Sequence, residues 1–255
     1  TETAQSQGLP VQLTGGEPSI LWVTPESGQK VPVRQEPLQE MREPMPEILP
    51  SAPESDVLLW PHVPNRHLAH GDSITYGGYS DVPYPMALEQ LLDTNSGPSE
   101  VINWGLPGER AMLAVARLRE GVQTYTPEFV QIMEGTNDIT ADYDPDQTAF
   151  AVQLLVGDAR ATVPGVKVVV GTITPRKDEK KNEEVTATNE MMKNKYIKRT
   201  GAPIADTWQA FYDYGNWEEF YRVGDPLHPD SRGLAIIANT FYQTMVDAGM
   251  LGGQQ

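Results

Sequence analysis

The chain has 255 residues, of which 39% are hydrophobic and 21% charged, so it can hold one α/β domain with an appendage. Its formal net charge of −16 repels phosphate backbones and anionic lipid surfaces, which argues against nucleic acid as a partner. No apolar run approaches the ~18 residues of a membrane-spanning helix, so no membrane insertion is expected. Because cysteine is absent, covalent catalysis must use oxygen or nitrogen.

The first 64 residues differ from the rest, because they hold 11 of the 22 prolines. Proline lacks an amide donor and restricts its predecessor, so the run 37–53 cannot sustain a helix. Apolar segments at 11–13 and 20–23 could be strands of a small β appendage, or parts of an ordered tail. We predict a proline-rich extension or small β appendage over residues 1–64 and the main domain over 65–255. The start at Thr1 fits either removal of a signal peptide or excision from a longer chain, and on the first interpretation we expect a secreted or periplasmic protein.

From residue 65 onward, short apolar runs alternate with longer helical patterns. The apolar runs lie near 67–70, 101–103, 129–133, 166–173 and 202–205, and the helical patterns cover about 84–94, 109–124, 147–162, 183–199 and 231–248. This alternation indicates βαβ units. We therefore predict a flavodoxin-like, three-layer α/β/α fold with a doubly wound parallel sheet of about five strands. Ligands bind beyond the carboxyl ends of the strands in such sheets.

Four polar blocks lie where this fold would place a site. They are Gly71-Asp72-Ser73-Ile74-Thr75, Asn103-Trp104-Gly105, Gly135-Thr136-Asn137-Asp138 and Asp225-Pro226-Leu227-His228. In order and spacing, the blocks resemble the SGNH (GDSL) hydrolase family over about residues 67–245. The resemblance implies Ser73 as nucleophile, His228 as general base and then acid, and Asp225 as the group that orients the imidazole. It also implies an oxyanion hole formed by the amides of Ser73 and Gly105 and the side chain of Asn137.

The chemistry of ester hydrolysis by a serine requires the same residue types. A serine hydroxyl is a poor nucleophile until an imidazole accepts its proton, and a carboxylate fixes the tautomer of that imidazole. Asp225 and His228 are three residues apart, so one turn can project both side chains together. Gly105 leaves its amide unobstructed, and Asn137 supplies a neutral donor. A helix cap or turn is the alternative role for Asn137.

The four histidines allow the general base to be chosen by elimination. His62 belongs to the proline-rich linker. His67 and His70 fall in the first strand, where the family usually has a more apolar run, and this makes the burial of that strand doubtful. His70 could line the site or simply cap the strand.

Other chemistries find little support. No serine lies in a Gly-x-Ser-x-Gly elbow, and Ser231 is instead predicted as the N-cap of the last helix. There is no His-Glu-x-x-His motif and no phosphate-cradling glycine loop. Residues 142–146 resemble the start of a calcium loop, but Gln147 replaces the turn glycine, and a helix cap at Asp146 is favoured. We predict no metal site and no cofactor.

An aromatic stretch at 211–221 precedes the Asp225 block and could stack on sugar rings or pack the edge of the domain. Asp72, Tyr214, Trp217 and Leu227 are predicted substrate contacts. We expect a serine esterase acting on small-molecule or glycan esters, with acetyl esters favoured. A thioesterase or lysophospholipase is one alternative, and a non-catalytic cell-surface binding protein on the same fold is another. The sequence does not indicate an oligomeric state.

Overall fold

The structure is a computed structural model that describes residues 62–251 and two short strands, β1 (Leu21–Val23) and β2 (Val31–Val33). The chain divides into two units, residues 1–55 and 56–255. In the first unit, β1 and β2 pair antiparallel, and β1 lies within the predicted apolar segment 20–23. The segments 11–13 and 37–53 lie outside the described residues. A domain boundary after residue 64 stays a prediction.

The second unit is built on a five-stranded parallel sheet. Its strands lie in the order β4-β3-β5-β6-β7. They are β3 (Val63–Gly71), β4 (Glu100–Gly105), β5 (Pro127–Met133), β6 (Lys167–Gly171) and β7 (Ile204–Ala205). Within this sheet the chain passes first through β3, then through β4 on one side of β3, and then through β5, β6 and β7 on the other side, which is the flavodoxin-like order. The predicted doubly wound α/β fold is confirmed.

Helices connect and flank the strands. They are α1 (Ser73–Tyr76), α2 (Tyr84–Asn95), α3 (Val115–Tyr125), α4 (Thr136–Thr140), α5 (Pro145–Thr162), α6 (Glu179–Met191), α7 (Ile197–Thr200), α8 (Thr207–Asp213) and α9 (Ser231–Asp247). A π-helical turn, Met192–Tyr196, joins α6 to α7, and 3₁₀ turns lie at Ala111–Leu113 and Trp217–Phe220. In the described part of the chain, no helix combines the length and apolarity needed to cross a membrane.

The helix predicted over 109–124 begins only at Val115. The backbone amides of Ala111 and Met112 donate to the Asp138 carboxylate, at 2.8 and 3.3 Å, instead of facing solvent at a helix start. This side chain therefore ties the segment after β4 to α4. The sequence pattern of α3 could not show this contact, because Asp138 belongs to α4, which follows a different strand.

Both faces of the sheet are covered by apolar side chains. Successive strand residues point to opposite faces. Leu68 and Ile132 enter a core with residues of α3 and α5, whereas Ala69 and Val169 enter a second core with residues of α2 and α9. Burial on both faces explains why the strands read as nearly continuous apolar runs.

Two helix caps differ from the predicted ones. The cap of α9 is Asp230, whose carboxylate accepts two amides of the first turn, and Ser231 is the first helical residue. The cap of α5 is Asp144, which accepts the Asp146 amide at 2.8 Å. In both cases the preceding aspartate takes the cap, because its carboxylate reaches the free amides of the first turn.

Strand β3 is buried in spite of its two histidines. His67 is 1% exposed, and its ring stacks on Phe129 with centroids 4.4 Å apart. Gln131 Nε2 donates to His67 Nδ1 at 2.9 Å. Burial lowers the pKa of His67 to about 4, so the ring is neutral at pH 7. The doubt that the histidines raised about the burial of this strand is removed.

Stability should fall on acidification because of His67. The pKa of about 4 in the folded protein lies below the ordinary histidine value of 6.5. The neutral buried ring therefore costs no stability above pH 6.5, and the folded state is progressively destabilised as the pH falls toward 4. Between pH 7 and 4.5, the wild type should lose roughly 2 kcal/mol more unfolding free energy than His67→Leu. Urea unfolding of both proteins at the two pH values measures this, and equal losses would rule His67 out as the titrating group.

Candidate active site

Ser73 is the first residue of α1, and only Asp72 separates it from the end of β3 at Gly71. Because β3 pairs with both β4 and β5, Ser73 lies at the crevice where the strand order reverses. A β-carbon on Gly71 would lie 2.0 Å from Thr75 Oγ1 and 2.5 Å from the carbonyl oxygen of Met133. Only glycine therefore permits this tight passage from strand to helix.

Ser73, His228 and Asp225 form one hydrogen-bonded chain. Ser73 Oγ lies 3.0 Å from His228 Nε2, and His228 Nδ1 lies 2.9 Å from Asp225 Oδ2. The other carboxylate oxygen, Oδ1, accepts the backbone amides of Leu227 and His228, both at 2.9 Å. The structure thus brings together the three residues predicted as a triad, although Ser73 and His228 are 155 positions apart.

The loop that carries Asp225 and His228 is closed by backbone hydrogen bonds. Tyr221 and Pro229 form an isolated antiparallel bridge, and the Arg222 amide donates to the His228 carbonyl at 3.1 Å. These contacts join the segment that enters the loop to the segment that leaves it. Backbone pairing therefore stabilises the loop that carries Asp225 and His228.

The charge of Asp225 suits the hydrogen bond to His228. Partial burial acts to raise the pKa of this carboxyl, but the amides of His228 and Leu227 and the His228 ring lower it overall. An ionised Asp225 accepts Nδ1–H, which leaves the Nε2 lone pair facing Ser73. The Ser73 hydroxyl can then donate its proton to Nε2.

Tyr79 contacts the histidine and was missed by the sequence reasoning. Its ring packs edge-on against His228, with centroids 5.0 Å apart, and the Arg222 guanidinium lies 5.0 Å from the centre of the Tyr79 ring. Tyr79 thus packs beside the imidazole. No motif marks this position, and only the three-dimensional contact identifies it.

Gly105 lies at the end of β4, against the backbone of α1. A β-carbon there would lie 2.1 Å from the amide nitrogen of Tyr76, so the close approach requires glycine. The Gly105 amide donates to Asn103 Oδ1 at 3.0 Å, and Asn103 Nδ2 donates to the Tyr76 carbonyl at 3.1 Å. The Gly105 amide can serve a substrate oxygen only if this hydrogen bond is exchanged or shared.

Asn137 lies in α4, immediately after β5. Its Nδ2 donates to the carbonyl oxygen of Glu109 at 2.8 Å. Because a side-chain amide has two N–H donors, the second remains for another acceptor. The alternative role of helix cap is wrong, since Gly135 occupies the N-cap position of α4.

The four predicted substrate contacts have different environments. Asp72 is buried, and its carboxylate accepts the Ile74 amide at 2.8 Å. Burial raises the pKa of Asp72 to about 7, although the Ile74 amide acts to lower it. This side chain supports α1 and offers no exposed surface to a substrate. Leu227 is half-buried in the loop of Asp225 and His228.

Tyr214 and Trp217 lie in the aromatic stretch. Tyr214 is exposed and lines a groove of about 670 Å³ between α2 and α9, whose lining includes neither Ser73 nor His228. Trp217 packs against Tyr212 and Tyr221, with centroids 5.5 and 5.6 Å away. For Trp217 the structure therefore shows aromatic packing, the alternative named from the sequence.

His70 neither lines the crevice nor caps the strand. It is the penultimate residue of β3 and is fully buried, and its ring faces Glu109 and Glu134. His70, Glu109 and Glu134 could together offer three ligand atoms to a metal ion, since these atoms lie within 4.8 Å of one another.

A serine, histidine and aspartate in one hydrogen-bonded chain, at the carboxyl edge of a parallel α/β sheet, is the arrangement of serine hydrolases. The chain belongs to the GDSL-like lipase/acylhydrolase family, whose model matches residues 69–236. It is a carboxylic ester hydrolase of that family. No curated protein sequence matches it significantly.

Several solved structures share the fold. A catalytic mutant of Axe2, an acetylxylan esterase from Geobacillus stearothermophilus, is 21% identical with a TM-score of 0.61, covering 72% of this chain and 95% of that one. A lipase/acylhydrolase from Enterococcus faecalis is 19% identical with a TM-score of 0.64, covering 75% and 99%. A carbohydrate esterase of family 3 from Talaromyces cellulolyticus is 22% identical with a TM-score of 0.57, covering 72% and 97%. At these identities the likeness shows the fold alone.

Proposed function

We propose that the protein is a serine esterase that forms an acyl-enzyme on Ser73 and favours acetyl esters of carbohydrates. The observation that carries the proposal is the hydrogen-bonded chain from Ser73 Oγ through His228 to Asp225, with distances of 3.0 and 2.9 Å. Such a chain supplies both a base for the serine proton and a fixed tautomer of that base.

The reaction would proceed in two halves. Ser73 Oγ attacks the ester carbonyl carbon while its proton passes to His228 Nε2, and the tetrahedral intermediate then expels the alcohol, which takes the proton from His228. In the second half, a water molecule gives its proton to His228 and attacks the acyl group. Collapse of the second intermediate releases the carboxylic acid and returns the proton to Ser73. Asp225 stays ionised throughout and stabilises the imidazolium.

The developing oxyanion requires preorganised donors. In the described part of the chain the Ser73 amide makes no hydrogen bond, and Asn137 retains one free N–H beyond its bond to Glu109. The Gly105 amide is the third donor once its bond to Asn103 is exchanged or shared. The Ser73 amide and one N–H of Asn137 are thus free to bind the oxyanion, whereas the Gly105 amide must first exchange or share its hydrogen bond to Asn103.

The substrate preference has separate support. Among proteins of similar structure, one is named an acetylxylan esterase and another a carbohydrate esterase. The net charge of −16 disfavours an anionic lipid interface. A short acyl group on a soluble, uncharged alcohol fits both observations.

Two measurements test the proposal. A fluorophosphonate probe should label the wild type but not Ser73→Ala, and Ser231→Ala is the matched control that should still be labelled. The wild type should also release acetate from acetylated xylo-oligosaccharides. Rapid turnover of medium-chain p-nitrophenyl esters without any acetate release would contradict the acetyl preference. Absence of both labelling and turnover of short p-nitrophenyl esters would contradict the esterase and favour a binding protein.

A further inference from the structure

We propose that His70, Glu109 and Glu134 form a buried polar support beneath the candidate active site, in which Glu134 is a positioning residue for the Asn137 side chain. The inference rests on the proposed function, because Asn137 matters here as an oxyanion donor. None of the three side chains takes part in the proposed chemical steps.

Strand register places His70 and Glu134 side by side. His70 lies opposite Ile132 of β5, and Glu134 follows Ile132 by two residues, so it projects from the same face of the sheet. His70 Nε2 lies 3.8 Å from Glu134 Oε1 and 3.8 Å from Glu109 Oε2. The three side chains are at most 6% exposed.

Glu134 is the side chain with the most unmet hydrogen-bonding capacity in this cluster. In the part of the chain that the structure describes, neither of its oxygens has a hydrogen-bond partner within 3.5 Å, and His70 Nε2 has none. Burying such polar atoms is costly unless they interact with one another or with water. A small shortening of the 3.8 Å separations would convert these contacts into hydrogen bonds.

Arg117 decides the tautomer of His70. Its Nη2 lies 3.3 Å from His70 Nδ1, and a guanidinium can only donate hydrogen bonds. The two N–H groups of Arg117 Nη2 are shared among three acceptors, which are Glu109 Oε2, the Gly71 carbonyl and His70 Nδ1. An N–H on Nδ1 would point at the guanidinium cation, so Nδ1 carries the lone pair and the proton of the neutral ring lies on Nε2, directed at the two carboxyl groups. A metal ion would need the lone pair on Nε2, so this geometry favours a hydrogen-bonded cluster over a metal site.

Charge balance assigns a proton to Glu134. Arg117 donates to the Glu109 carboxylate, so one guanidinium compensates one of the two carboxyl groups. Burial raises the pKa of Glu134 well above its ordinary value, and the nearby carboxyl groups of Asp72 and Glu109 raise it further. As a neutral acid, Glu134 can both donate and accept a hydrogen bond.

The cluster is connected to each element of the candidate oxyanion hole. Arg117 donates to the carbonyl groups of Gly71 and Trp104, at 3.2 and 2.7 Å, next to Asp72-Ser73 and Gly105 respectively. The Glu109 carbonyl accepts Asn137 Nδ2 at 2.8 Å. Glu134 precedes Asn137 by three residues, and between them Gly135 adopts a left-handed φ of 117°. A shift of the Glu109 carbonyl would therefore move the Asn137 amide directly, whereas a shift of Glu134 would reach Asn137 through the backbone between them.

A cavity of about 10 Å³ adjoins the cluster and is lined by Asp72, Glu134, Thr136 and Thr174, among others. This volume is close to that needed for one water molecule, which requires two to four polar partners. The hydroxyls of Thr136 and Thr174 are buried and have no partner among the described residues. A single water could thus bridge Glu134 to the segment before Asn137.

The test compares two variants of similar size. Glu134→Gln keeps a neutral group that both donates and accepts, whereas Glu134→Leu removes both capacities. We expect kcat on p-nitrophenyl acetate to stay within about threefold for Glu134→Gln and to fall about 10- to 100-fold for Glu134→Leu. KM should change little in either variant, because the oxyanion donor acts mainly in the transition state. Gln131→Leu, within β5 and on the opposite face of the sheet, is the control with unchanged kcat.

Thermal unfolding followed by circular dichroism establishes that each variant is folded. Wild-type kcat in a folded Glu134→Leu protein, or equal impairment of Glu134→Gln and Glu134→Leu, would overturn the support while leaving the esterase proposal intact. One equivalent of tightly bound metal that is lost in His70→Leu would overturn the tautomer assignment and with it the cluster. A wild type that is neither labelled by fluorophosphonate nor active on esters would defeat the proposed function itself.

Discussion

Ser73→Ala and His228→Ala should each lower kcat on short p-nitrophenyl esters by about 10⁶-fold. Ser73 Oγ and His228 Nε2 share one hydrogen bond of 3.0 Å, so neither group can act without the other. The double variant should consequently be no slower than either single variant. Steady-state kcat, measured with protein freed of contaminating esterases by two chromatographic steps, checks both expectations.

The histidine variants also test which imidazole is the base. His62→Ala, at an exposed position, should retain wild-type kcat and is the matched control. His70 is fully buried and its ring contacts Arg117 and the carboxyl groups of Glu109 and Glu134, so it cannot take the Ser73 proton directly. Loss of turnover in His70→Ala with retention in His228→Ala would show that the base has been assigned to the wrong residue.

Much of the fold could be predicted because its signals are local. The apolar run around Val168 is buried on both faces, and such runs alternate with helical patterns at every step of the sheet. The relative positions of Ser73, Gly105 and Asn137 followed from one rule, that strand-end loops of a parallel sheet meet at one edge. Asp225 and His228 are close in sequence, so their contact needed only a turn.

What could not be predicted depends on contacts between distant segments. The bond from the Gly105 amide to Asn103 Oδ1 competes with its predicted use as an oxyanion donor, and the sequence gives no measure of that competition. In the sequence, Glu134 is an isolated charged residue after an apolar strand. The histidine that it contacts in the structure, His70, lies 64 residues earlier. The two become a pair only through the register of β3 and β5. Tyr214 looked like a substrate contact because of its position in the chain, but it lines a different groove.

Asp225→Asn should lower kcat by about 10⁴-fold while leaving the fold intact. In the wild type, Asp225 Oδ2 accepts the His228 Nδ1 proton at 2.9 Å, and Oδ1 accepts the amides of Leu227 and His228. An asparagine can keep Oδ1 on those two amides, which then directs its NH₂ group at Nδ1. The ring would be forced into the tautomer with the proton on Nε2, which cannot accept the Ser73 proton.

Asp230→Asn provides the matched control, because Asp230 lies five residues further along and caps α9 without contacting His228. It should keep wild-type kcat and lose at most about 1 kcal/mol of stability. The rate of fluorophosphonate labelling should fall in parallel with kcat for Asp225→Asn, since both reactions need the Ser73 proton to leave through Nε2. Fast labelling together with slow turnover would instead place the defect after acylation, and Asp225 would then act on deacylation or product release rather than on the tautomer that activates Ser73.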